Sequence, residues 1–303
     1  MATRFVELNF RADPEGGDID PLKPVGRLDE LSHAQHLILL IHGYNNTEDE
    51  ARESYNAFMG RQAALVPDGI DWAFGATVVG VLWPGDARWG IARPAFYPWA
   101  LPVADAMAGY LAALVRGVAQ NGVGLALDVV AHSLGNRLLL ELLQQLRGSD
   151  GLTIRSVLHM AAAVPTDRLD TDGDELRLGV LAETALGRAT SIHSARDSVL
   201  SIWFPLGETI DVRTEGLLPT ALGHQTWGGG GLLSGFRQQA QDDLRHQDYW
   251  SGLDAALVHE ALNSPVAIAR SVSTRTTARR DTDSVAPDEA RATPSRDTGE
   301  STN

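Results

Sequence analysis

The segment Leu125-Ala-Leu-Asp-Val-Val-Ala-His-Ser-Leu-Gly-Asn-Arg-Leu-Leu-Leu140 runs an apolar stretch into a leucine-rich one through Ala131-His132-Ser133-Leu134-Gly135. A serine on a sharp turn between strand and helix is forced into a strained conformation that stands its hydroxyl clear, as a nucleophile requires. The residues two before and two after such a serine pack against each other and must be small, which Ala131 and Gly135 are. A helix N-terminus directly behind the serine favours negative charge, so the pattern suits attack on a carbonyl with an oxyanion developing nearby. The plain alternative is that Ser133 caps a helix.

A second segment, Leu39-Leu-Ile-His-Gly-Tyr-Asn-Asn46, ends an apolar strand in His-Gly upstream of that turn. A loop so placed can offer a backbone N–H to the oxyanion, paired with the N–H after the serine; the donors would be Tyr44 and Leu134. His42 precedes the serine and reads as a hydrogen-bonded structural histidine. The plain reading of this loop is a strand-to-helix turn capped by Asn46 or Thr47. Together the two motifs resemble the α/β-hydrolase superfamily, and more narrowly bacterial lipase-like serine hydrolases of largely uncharacterised function with an HGYNN-type loop and an AHSLGNR-type elbow. The resemblance spans roughly residues 37–250.

It implies the order serine, acid, histidine along the chain, and hence partners after Ser133. In Ala189-Thr-Ser-Ile-His-Ser-Ala-Arg-Asp-Ser-Val-Leu200 the acid would be Asp197, just past a strand, with Asp167 as rival and helix capping as the plain role. For the base, Leu244-Arg-His-Gln-Asp-Tyr-Trp250 resembles a family ending and points to His246; His224, in a glycine-rich loop, is the rival, and His259 belongs to a closing helix. Ser133, Asp197 and His246 would then form a catalytic triad working through an acyl-enzyme on carboxylic esters. An acyltransferase or amidase with the same triad, or an inactive scaffold serving in binding, are the alternatives. A histidine base predicts a rate rising as imidazole deprotonates, near about pH 6.5.

Trp83, Trp89, Phe96, Tyr97 and Trp99 crowd residues 83–102, a cap-like loop in which Trp83, Trp89 and Trp99 are candidate walls of an acyl pocket or parts of a buried mini-core. An insertion over 203–231 adds to it. No metal is expected: Asp170-Thr-Asp-Gly-Asp-Glu175 departs from calcium-loop spacing, His33 and His36 read as surface residues, and no HExxH occurs. No cofactor is expected either, since phosphate-binding glycine loops are missing. The partner expected is a small-molecule ester, with no nucleic acid and no membrane span.

The elements that must position these residues follow from periodicity. Arg4 to Arg11 alternates like a half-exposed strand. Leu37 to Ile41 is continuously apolar, and Thr77 to Leu82, Leu125 to Ala131 and Ser156 to Ala161 are broken only by Gly80, Asp128 and His159, as suits strands covered on both faces. The last strand, over Gly235 to Gln241, has low strand propensity. Thr47 and Glu50 form a capping box for a helix carrying Tyr55, Phe58 and Met59. Pro102 and Gly122 bound an alanine-rich helix, and Leu138, Leu142 and Leu146 line a third that stops at Gly148. The expected fold is α/β: a mostly parallel central sheet with helices on both faces. Ala100 to Val115 is too short and weakly apolar to span a membrane.

Residues 1–268 would form this domain, and 269–303, rich in Ser, Thr, Asp and Arg, a disordered tail. The 303 residues carry 39 acidic and 25 basic side chains, a net charge of −14, and Lys23 is the only lysine. Residues 271–303 hold five arginines and six acids, so −13 belongs to residues 1–270, which argues against polyphosphate ligands. The absence of cysteine excludes a thiol nucleophile and disulfides. With no basic, then apolar N-terminal stretch, a cytoplasmic location is expected. Arg88, Arg93, Arg137, Arg196 and Arg245 flank these motifs; loop-fixing ion pairs are the plain reading, orientation of an anionic substrate group the functional one.

Overall fold

The apolar runs become the interior of one parallel sheet. The computed structural model describes residues 3–13, 18–67, 70–85, 97–121, 124–166, 188–205, 219–226 and 236–263. Its strands are β1 (Arg4–Asn9), β2 (His36–Ile41), β3 (Thr77–Leu82), β4 (Leu125–His132), β5 (Leu152–Met160), β6 (Arg188–His193) and β7 (Phe236–Ala240). They lie in the order β1-β3-β2-β4-β5-β6-β7, and each neighbouring pair runs parallel. Every residue of β3 is buried, whereas β1 alternates and β7 is largely exposed, as expected of the centre and the two edges.

Parallel neighbours need crossovers, and helices supply them. They are α1 (Leu28–Leu31), α2 (Glu48–Ala63), α3 (Tyr97–Asn121), α4 (Gly135–Leu146), α5 (Tyr249–Gly252) and α6 (Ala255–Asn263). Helix α3 packs on α4, and α2 packs on α5 and α6, so the sheet is covered on both faces. Contacts divide the chain into Met1–Ala267 and Ile268–Asn303, and the described residues all belong to the first. The tail expected over 269–303 lies outside the described residues.

Each interruption of the apolar runs has a local cause. A Cβ at Gly80 would stand 2.9 Å from both Phe5 Cζ and Tyr55 Cδ2, so the glycine lets α2 and β1 close on β3. Asp128 accepts from Ser156 Oγ at 2.7 Å and contacts His36 Nε2 at 2.6 Å, and His159 Nδ1 meets Asn136 Oδ1 at 2.8 Å. Asp128 is thus paired across strands and His159 to a helix, while His159 Nε2 is buried with no partner among the described residues.

The capping box at α2 forms as the Thr47–Glu50 spacing implies: Glu50 N–H donates to Thr47 Oγ1 and Thr47 N–H to Glu50 Oε2. Helix α3 differs from expectation. It begins at Tyr97 and runs 25 residues with Pro102 inside it, long and apolar enough to cross a membrane by length and composition alone. Met107, Ala108, Leu111, Ala112 and Val115 are nonetheless buried in the domain core. Arg137 of α4, itself buried, clasps Asp105 of α3 through two hydrogen bonds of 2.8 and 3.1 Å.

Candidate active site

Parallel strands present their C-terminal ends along one edge, and the sequence motifs all sit there. Ile41 of β2 pairs with Ala131 of β4, which sets the His42 loop beside the turn that follows β4. At that turn Ser133 has φ +52°, a left-handed conformation costly for a side chain with Cβ. The surroundings over-determine it. Ser133 N–H donates to Met160 O at 3.0 Å, Ala163 N–H donates to Ser133 O at 3.2 Å, and Asn136 Nδ2 donates to the carbonyls of Ala131 and Met160. Gly135 admits no side chain, because a Cβ would lie 2.4 Å from His42 O and 2.8 Å from Ile41 O.

Ser133 Oγ lies 2.8 Å from His246 Nε2, and His246 Nδ1 lies 2.7 Å from Asp197 Oδ2. This spacing fits a hydroxyl donating to Nε2 while Nδ1–H donates to the carboxylate. Asp197, four residues past β6, is fully buried, and its second oxygen accepts from the backbone N–H groups of Val199 and Leu200 at 3.1 Å. It therefore caps the π-helical turn Val199–Trp203 and holds the imidazole at once. His246 follows β7 by six residues, so the low propensity of Gly235 to Gln241 did not prevent a strand from forming there. Of the rivals, His224 lies beside His193, His259 contacts Phe74, and Asp167 lies outside the described residues.

The His42 loop abuts the turn: a Cβ at Gly43 would meet Ser133 Cβ at 2.7 Å. Tyr44 lines the same cleft as Ser133, and Leu134 N–H, at the head of α4, meets no acceptor among the described residues. Asn46 Nδ2 donates to the carbonyls of Gly43 and Tyr44, and the buried Arg11 guanidinium to Asn46 O at 2.7 Å. His42 is structural. Its Nδ1–H donates to Gly43 O at 2.9 Å and Trp83 N–H donates to its Nε2, while burial, with Arg11 adding to it, holds its pKa down to about 3.

The cleft over Ser133 and His246 measures about 480 Å³. Tyr97, Leu200, Phe204 and Trp250 make an apolar wall, and Asn45, Glu50 and Glu53 a polar one. The expected tryptophan wall is corrected. Trp83 is fully buried behind the loop, stacked on His42 at 5.5 Å with its Nε1–H on His42 O at 2.9 Å, so its ring faces the core. Trp99 points outward, 74% exposed, because Tyr97, Ala100 and Leu101 take the buried face of the first turns of α3. Trp89 lies outside the described residues. Of the basic residues, Arg137 is taken by Asp105, Arg196 and Arg245 are exposed, and Arg88 and Arg93 lie outside the described residues. The calcium-like loop 170–175 also lies outside them, and among the described residues no group of His, Asp and Glu is arranged to hold a metal.

Two contacts had no signal in the sequence beyond position. Asn136, next after the elbow glycine, ties Ser133 to β5. His132 donates Nε2–H to the His246 carbonyl at 2.7 Å, its pKa pushed down to about 3 by burial and by the neighbouring His246.

The family described as "Alpha/beta hydrolase of unknown function (DUF900)" matches residues 27–202. No curated protein matches the chain. Among solved structures it is similar to the lin2722 gene product of Listeria innocua, at 12% identity over 76% of this chain and 95% of that one, with a TM-score of 0.45. It is also similar to TT1662 of Thermus thermophilus, at 14% identity over 77% and 91%, with a TM-score of 0.42.

Proposed function

The chain belongs to the family of α/β hydrolases of unknown function that matches its residues 27–202, and on that footing we propose that it is a serine hydrolase cleaving carboxylic esters through an acyl-enzyme. One observation carries the reading: the hydrogen-bond chain from Asp197 through His246 to Ser133, with the serine at φ +52° and opening on the cleft. Neutral His246 takes the Ser133 proton as Oγ attacks the ester carbonyl. The resulting oxyanion is stabilised by the Leu134 and Tyr44 N–H groups and the head of α4. His246 then gives the proton to the departing alcohol, and water attacks the acyl-serine by the same route in reverse. The apolar wall supports an apolar acyl group of moderate size, since a cleft of about 480 Å³ falls in the range of small-molecule sites.

Fluorophosphonate labelling of the wild type beside Ser133→Ala, with a panel of esters of graded acyl length, tests this. The wild type should label and turn over short to medium esters; the variant should not label and should lose about 10⁴- to 10⁶-fold in kcat. Labelling that survives in Ser133→Ala sinks the nucleophile, and a wild type that neither labels nor hydrolyses any ester sinks the reading.

A further inference from the structure

We infer that His132 is a positioning residue for the base: by donating Nε2–H to the carbonyl of His246 it sets where that imidazole stands relative to Ser133. The inference rests on the hydrolase reading above. His246 is carried by weak structure. Strand β7 is a five-residue edge strand with mostly exposed polar side chains, and the loop after it is tied chiefly to the β6 side. Gln241 N–H donates to His193 O, Ser194 Oγ to Leu244 O, and Ala195 N–H to Asp242 Oδ1. The bond from His132 comes instead from the β4 side and lands on the main chain of His246 itself. Consecutive residues, 132 and 133, therefore hold the base at its backbone and at its ring tip.

The imidazole of His132 is confined. Its centroid stands 5.0 Å from that of His246, 5.9 Å from Tyr249 and 6.1 Å from Trp250, and a Cβ at Gly43 would lie 3.0 Å from its Nδ1. Nδ1 is buried with no partner among the described residues, so the one proton of the neutral ring is committed to Nε2 and the His246 carbonyl. A ring so placed leaves no freedom to trade that bond for another, and a shift of about 1 Å at a reacting centre can cost about 100-fold in rate.

Two polar variants separate positioning from packing. His132→Gln keeps an amide N–H at the reach of Nε2, whereas His132→Asn carries it only as far as Nδ1. In the Asn variant kcat should fall about 10- to 100-fold with KM changed less than about threefold, and the Gln variant should stay within about threefold of wild type. The low-field proton resonance of the Asp197–His246 hydrogen bond should persist in the Gln variant and broaden or vanish in the Asn one. Equal kcat and an equal resonance in wild type and both variants overturn the inference, as does an equal loss in both. If the Asn variant does not fold, His132→Leu, which fills the space without an N–H, takes its place: kcat and resonance lost there and kept in the Gln variant support positioning, and equal values in the two refute it. A wild type inactive on every ester removes the hydrolase reading, while the resonance comparison still tests His132.

Discussion

At the scale of single residues, Asp197 has two jobs that one carboxylate can do because they use different oxygens. Oδ2 meets the base, and Oδ1 accepts the N–H groups of Val199 and Leu200. Asparagine is nearly as good a cap, but its amide nitrogen cannot accept from Nδ1–H, and a ring turned to the other tautomer cannot take a proton from serine. Asp197→Asn should therefore leave the melting temperature within a few degrees of wild type and lower kcat by about 10⁴-fold. Calorimetry and steady-state rates on the same preparation check both halves. An unfolded variant would mean that the negative charge, not only the cap, holds the turn, and an active one would move the acid elsewhere. The capping and acid roles looked like competing explanations in the sequence; the two hydrogen-bonding sides of the carboxylate reconcile them.

At the scale of elements, the strand ends carry an unusual load of neutral histidine. His42 closes β2, His132 ends β4 and His159 lies in β5, all buried. Burial, the largest cause in each, holds their pKa values down to about 3, 3 and 4. In the unfolded chain a histidine titrates near about 6.5, so between that pH and the folded values the unfolded state binds more protons. Stability is thus complete above about pH 6.5 and is lost as the pH falls toward 4, by about 1.4 kcal/mol per pH unit for each histidine. The three together give about 4 kcal/mol per unit, enough to exhaust an ordinary domain's stability within about two to three units. Denaturant midpoints from pH 7 to 5 should fall steeply, and His159→Gln should flatten that slope by about a third. A flat profile in the wild type would contradict neutral burial.

These same elements show what could be read from sequence. The turn at Ser133 was legible because its steric demands select small residues at fixed offsets, and the start of α2 because a capping box is local. The grounds for Gly80, Asp128 and His159 were not: each meets a partner on another element, Tyr55, His36 or Asn136. Nor was the direction of Trp83 and Trp99, since an aromatic-rich stretch says how much ring is present and not which ring turns toward a cleft. The bond from His132 to His246 spans 114 positions and leaves no trace in local pattern.

For the whole molecule, the charge excess can now be set against the cleft. Arginines flanking the motifs suggested an anionic group on the substrate, but Arg137 is bound to Asp105, and the carboxylates among the described lining are Glu50 and Glu53. The head of α2 contributes a partial charge of about +0.5 there. Against it stand Glu7, Glu48, Asp49, Glu50 and Glu53, offset by Arg52, by the buried Arg11 on Asn46 O and by Lys23 near Glu48, so the balance is negative by more than one charge. The surrounding −13 of residues 1–270 adds to it over distances that salt screens beyond about 10 Å at 0.1 M. A neutral ester should therefore be preferred over an anionic analogue of the same size by about tenfold in kcat/KM at low ionic strength, within the range that surface fields produce. At about 0.5 M salt, where the screening length is shorter still, the gap should close substantially. Rates for a matched pair, one ending in a methyl group and one in a carboxylate, measured across salt concentration decide it. An anionic ester favoured at low salt would mean that basic groups outside the described residues govern the cleft, whereas a salt-dependent penalty makes the acidic surface a filter acting on what reaches Ser133.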